Sequence, residues 1–251
     1  GIFVITIFYN LSSNLKNALL ELSKKLKAEV IEHKDYIGGR YAVMSEAGML
    51  PAALMNLDVR KFKQLNQLML NKKFVSTIVE NVYSIHTMFK KKKFNSIILN
   101  YDPQLNDFCL WYQQLVSESL GKKKKGIMPI VSTMPKDSHS LLQYYLDGNP
   151  NAFFTIFSSK HLKNYKINNA LLPGHFKYLS NKNLESVVDS QRLATQKIFL
   201  SKSIPFRTFE ILKKSEKELG FLFTFFVLET ILLSKMLKVD PFNQPAVELV
   251  K

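Results

Sequence analysis

With 251 residues, 46% of them apolar and 22% charged, the chain has the composition of a folded globular protein, long enough for one large domain or two small ones. Its single cysteine, Cys109, excludes an intramolecular disulfide and fits a reducing compartment, the cytoplasm. The net charge of +15 is almost all lysine, in short runs at 89–94 and 121–125, with only four arginines (Arg40, Arg60, Arg192, Arg207); solvated lysine faces explain this better than a nucleic-acid site, which favours arginine and interleaved aromatics.

The opening GIFVITIFYN lacks the basic start of a signal peptide and reads as a strand over residues 2–8. Leu15, Ala18, Leu19, Leu22 and Leu26 then fall at helical spacing, with Ser12 or Ser13 to cap them. VIEH is a second short strand, followed by a turn over Gly38, Gly39 and Arg40. MSEAGMLPAALMNLD starts a helix, with Pro51 near its start or at a kink, and helical pattern continues to Lys90.

KFNSIILNYD (93–102) has the unbroken apolar character of a parallel strand buried on both faces. A helix from Pro103 to Leu120 follows, ended by Gly121, then a strand in KGIMPIVSTMP, a helix in DSHSLLQYYLDG and a strand in NAFFTIFSS. This βαβαβ order predicts an α/β fold with a parallel sheet flanked by helices. From Leu184 the pattern reads as helical to the end, broken at Pro205 and in VDPFNQP. The apolar run 220–237 is interrupted by Glu229 and reads as a buried or interface helix, shorter than the ~20 apolar residues a membrane span needs.

Ligands of open parallel sheets sit outside the carboxyl ends of the strands, so polar residues there are the first candidates. Gly38 and Gly39 would let backbone amides approach an anion or a sugar, and Arg40 offers a permanent cation to a developing oxyanion; a tight turn with a structural arginine is the other reading. Gln114 and Glu118 stand four apart on one helix face. A carboxylate near a helix C-terminus is disfavoured by the dipole, a setting that suits a general base, although an exposed surface glutamate is the commoner explanation for any single one. His139 and Gln143 repeat the four-residue spacing just after a strand, where the histidine either shuttles a proton or is structural. Metal-ligand clusters, Walker loops and dinucleotide or hydrolase motifs are absent from the sequence.

Four ordered segments, IGGRYAVMSEAGMLPAAL (37–54), SESLGK (117–122), DSHSLLQ (137–143) and FNQPAVELVK (242–251), resemble the motifs of the glucose-6-phosphate isomerase family in its short bacterial form. The resemblance implies a sugar-isomerase fold. It also implies interconversion of glucose 6-phosphate and fructose 6-phosphate through a cis-enediol, a step of glycolysis and gluconeogenesis. Glu118 would move the proton between C1 and C2, and Arg40 would stabilise the enediolate. His139 and Lys251 would assist ring opening, while Gly39, Gln114 and Gln244 would hold the substrate. The implied partners are a sugar phosphate and a second copy of the chain, with no metal, organic cofactor, nucleic acid or membrane.

Ala42, Asn243 and Ala246 depart from the family's serine, aspartate and glycine. The Ser/Thr-rich phosphate loop has no counterpart, YNLSSNLKN being the nearest stretch. The expected organisation is therefore the remainder of a first sugar-isomerase domain (1–50), connecting helices (51–92), a second such domain (93–183) and a helical C-terminal segment (184–251). Such a truncated chain is expected to be aggregation-prone, with an uncovered sheet edge. A sugar-phosphate-binding module without catalysis is the alternative function.

Overall fold

The computed structural model describes residues 4–7, 18–34, 36–160 and 165–249. In chain order they form β1 (Val4–Ile7), α1 (Ala18–Leu26), β2 (Glu29–Glu32), a 3-10 turn (Gly39–Met44), α2 (Glu46–Leu54), α3 (Val59–Phe62), α4 (Leu65–Leu70) and α5 (Lys72–Lys90). Then come β3 (Asn95–Asn100), α6 (Asn106–Leu120), β4 (Met128–Thr133), α7 (Lys136–Asp147), β5 (Ala152–Ser159), α8 (Leu184–Ser201), β6 (Phe206–Ile211), α9 (Glu216–Leu237) and α10 (Pro245–Glu248). Contacts divide the chain into two compact units, residues 1–78 with 215–229 and residues 79–214 with 230–251.

In the first unit β1 and β2 pair in parallel, Val4 opposite Glu29. Ser45 caps α2, its hydroxyl accepting from the Ala47 N–H at 3.4 Å. Met49, Ala52 and Phe62 form a small core with Val59, Leu219 and Phe223. Gly220 lets α9 approach α3 closely, since a Cβ there would lie 2.4 Å from the Phe62 carbonyl oxygen. The Gln64 amide ties the same elements by donating to the Lys61 carbonyl at 2.7 Å and the Lys217 carbonyl at 2.6 Å. By length and apolar composition α9 could cross a membrane, yet half of its most apolar stretch is buried within the protein, which favours the core helix the sequence suggests.

The second unit is built on a four-stranded, all-parallel sheet in the order β4-β3-β5-β6. Strand residues alternate between faces. Phe154 and Ile156 join Ile97, Leu99 and Tyr101 in a core covered by Leu142 and Tyr145 of α7 and Val188 and Phe199 of α8. On the opposite face Phe157 meets Phe108 of α6 edge-on at 5.7 Å and stacks on Phe209 at 5.3 Å. At the carboxyl end of β3, fully buried Asp102 accepts from Ser159 Oγ and pairs with Lys214 Nζ, each at 2.6 Å.

β6 corrects the reading of a wholly helical stretch after Leu184. α8 ends at Ser201, and beyond Pro205 the segment FRTFEI pairs with β5 from Phe154↔Phe206 to Ser159↔Ile211. Its two charged residues disguise it. Arg207 reaches under the sheet, donating to Thr155 Oγ1 at 3.0 Å, Asn81 Oδ1 at 3.1 Å and the Tyr112 hydroxyl at 2.9 Å.

Candidate active site

α6 buries one stripe, Phe108, Cys109, Tyr112, Leu115, Val116, Ser119 and Leu120, at the helical spacing that faces a core. Gln114 and Glu118 lie off that stripe, and the Gln114 amide donates to Glu118 Oε1 at 2.9 Å. The helix stops at Gly121, whose N–H returns to the Ser117 carbonyl at 3.0 Å. A tight loop follows, in which Gly126 (φ 115) has no room for a Cβ: one would lie 2.6 Å from the Leu120 carbonyl oxygen.

Two lysines of this loop also act as straps. Lys122 Nζ donates to the Asp240 carbonyl, and Lys125 Nζ donates to the Leu237 carbonyl at 3.0 Å. The segment after α9 is thereby drawn back to α6, where Glu118, Lys122, Asn243 and Gln244 line one cavity of about 420 Å³. Glu118 and Gln244, 126 positions apart in the sequence, share that cavity. Lys122 was visible only as one of a lysine run, since its strap partner Asp240 is remote in the sequence.

In the first unit Arg40 is buried, its guanidinium 5.3 Å over the Tyr41 ring. The Gly38–Arg40 segment is clasped from below by His33, whose Nε2–H donates to the Ile37 carbonyl at 3.1 Å. The Nδ1 atom of His33 lies 3.5 Å from both Ser45 Oγ and Glu46 Oε2. The backbone N–H of Glu46 itself, and then His33, hold the Glu46 carboxyl below its ordinary pKa. Neither Gly38 nor Gly39 is demanded by packing: a Cβ at either would meet nothing within 4 Å. Gly38 has φ −65, open to any residue.

His139 is exposed in the first turn of α7, where Asp137 accepts from the Thr133 N–H at 2.7 Å. α7 starts at the carboxyl edge of the sheet, whereas the last turn of α6 reaches the amino edge. The expected location outside the carboxyl ends therefore fits His139 but not Glu118, which stands at the far end of a helix about 22 Å long. The fold of this unit does not bring the two together. Lys251 lies outside the described residues.

Comparison with known proteins follows the same segments. The family profile for phosphoglucose isomerase matches residues 4–134, the stretch holding Gly39, Arg40, Gln114 and Glu118. The chain belongs to that family. A glucose-6-phosphate isomerase from Mycoplasmopsis pulmonis is 33% identical over 247 residues, covering 94% of this chain and 57% of the relative. A hypothetical protein of Thermus thermophilus superposes with a TM-score of 0.84 at 20% identity, over 98% of this chain and 60% of that one. A glucose-6-phosphate isomerase of Chlamydia trachomatis does so with a TM-score of 0.65 at 14% identity, over 98% and 57%. The two structures speak for the fold, an α/β sugar-isomerase architecture. The chain spans somewhat over half the length of these relatives.

Proposed function

We propose that the chain serves the interconversion of glucose 6-phosphate and fructose 6-phosphate, without metal or organic cofactor. The observation that carries this reading is that Gln114 bonds Glu118, and Gln244 shares the carboxylate's cavity. A base for this reaction must take a proton from one carbon and return it to the next, so its oxygen has to be held in place while the sugar reacts. Gln114 supplies that hold. Arg40 offsets the charge that develops on the enediolate oxygens, where a fixed cation lowers the barrier more than it stabilises the bound sugar. His139 and Lys251 move protons at the ring oxygen and the anomeric hydroxyl. Because His139 and Glu118 lie at opposite edges of the sheet, a dimer in which each site takes His139 from the second copy fits best.

The test is fructose 6-phosphate isomerisation by the chain, coupled to oxidation of glucose 6-phosphate, alongside Glu118→Gln. Loss of a general base is expected to lower kcat by about 10²–10⁴-fold. Turnover that survives the substitution would remove Glu118 from the role. Sugar-phosphate binding without turnover in either protein would favour the non-catalytic binding module.

A further inference from the structure

The opposite, carboxyl edge of the same sheet has another cavity. The chain leaves β3 through α6 toward one edge and leaves β5 through α8 toward the other, with the two helices on opposite faces. Where the strand order of a parallel sheet reverses in this way, a crevice opens outside the carboxyl ends of the two diverging strands. Here the reversal lies between β3 and β5. Tyr101, just past β3, and Ser158 and Ser159, closing β5, line a cavity of about 280 Å³ that extends to Ser186 and Arg192 of α8 and Glu210 of β6.

One wall of this cavity is unfinished. Ser158 is 6% exposed, and its hydroxyl has no hydrogen-bond partner. It follows Phe154 and Ile156 on the α8-facing side of β5, so it points to the side on which the cavity lies. The neighbouring groups are engaged: Ser159 Oγ donates to Asp102 at 2.6 Å, the Tyr101 hydroxyl to Thr195 at 3.0 Å, and Arg192 to Asp189 at 2.8 Å and Gln196 at 3.0 Å. Lys160 pairs with Glu210 at 3.6 Å. A buried hydroxyl left unpaired is costly and is usually completed by water, an ion or a bound molecule. Ser96, Asn100 and Thr230 also carry an unpaired buried side-chain atom, but of these four residues only Ser158 lines this cavity.

The lining also constrains what could bind. Lys160 and Arg192 are countered by Glu185, Asp189 and Glu210, which leaves no surplus of positive charge to hold a phosphate. The volume of about 280 Å³ falls just below the ~300–1,000 Å³ typical of small-molecule sites. We infer that this cavity is a second small-molecule site, separate from the Glu118 cavity, that takes an uncharged polyol no larger than a monosaccharide.

Sorbitol, which has no carbonyl to isomerise, is the probe, titrated into the full chain and followed by saturation-transfer NMR. Transfer is expected in the wild type and equally in Glu118→Gln. Ser158→Ala should weaken binding about fivefold or more, the loss of one neutral hydrogen bond, while leaving Tm unchanged or raised because no internal partner is lost. Ser186→Met, which fills the cavity from α8, should abolish transfer. The inference is overturned by absence of transfer in the wild type, by wild-type binding in Ser158→Ala, or by loss of transfer in Glu118→Gln. Tighter, Ser158-dependent binding of glucose 6-phosphate than of sorbitol would overturn the assignment to uncharged ligands. The isomerase assay reads Glu118 and this one reads Ser158, so either can fail alone.

Discussion

Cys109 lies in the buried stripe of α6 with no solvent exposure, and burial, aided by the nearby Asp102 carboxylate, pushes its thiol up to about 12. At pH 8 such a thiol is almost entirely protonated, whereas in an unfolded chain it ionises near 8.5. Labelling by a thiol reagent at pH 8 is therefore expected to run at least ~10³-fold slower in the folded chain than in denaturant. The same shift has a stability consequence. The folded state keeps a proton that the unfolded state gives up above about pH 8.5, so the contribution is complete below that pH and is lost as pH rises toward 12. Cys109→Ser should flatten that part of the alkaline stability curve, and rapid labelling of the native thiol would contradict the account. The inert role of this cysteine was legible in FCLWY, where a small thiol sits among large apolar side chains. The Asp102–Lys214 pair beside it was not legible, because its members stand 112 positions apart and meet only once the sheet has formed.

Among the elements, those built on local pattern could be read directly. β3 and β5 are apolar at their centres and buried along nearly their whole length because helices cover both their faces, and α6 ends where Gly121 follows its last buried leucine. β6 failed that test, since an arginine in a six-residue strand reads as surface, and its partners Thr155, Asn81 and Tyr112 come from three other elements. Gly220 was equally silent. Inside α9 it looks like a weak point of the helix, and Gly220→Ala taken alone would strengthen that helix by about 1 kcal/mol. The approach of α3 reverses the sign, because the added Cβ would sit 2.4 Å from the Phe62 carbonyl oxygen and 2.6 Å from its Cα, both backbone atoms that cannot rotate away. Overpacking of this kind costs about 1–3 kcal/mol, so Gly220→Ala is expected to lower the urea midpoint. A raised midpoint would mean that the two helices can part without loss.

At the scale of the whole molecule the placement of two residues bears on the shared site proposed above. Glu118 ends α6 at the amino edge of its sheet, and His139 begins α7 at the carboxyl edge, with about 22 Å of helix between those levels. Side chains of these lengths do not bridge that span, so if both act on one sugar the histidine comes from a second copy. In a symmetric pair each chain then lends His139 to the site that holds its partner's base. The consequence is testable by mixing two inactive proteins. Glu118→Gln keeps its histidine and His139→Asn keeps its base, so a mixed dimer contains one complete site and one that lacks both groups. Random pairing makes about half of the dimers mixed, and recovery should approach a quarter of the wild-type rate per chain. Under the alternative, with both residues acting from a single chain, every site in the mixture lacks one group, and no recovery follows however long the subunits exchange. Recovery that rises with the mixed fraction, set against a wild-type control in the same coupled assay, therefore separates a shared site from a self-contained one.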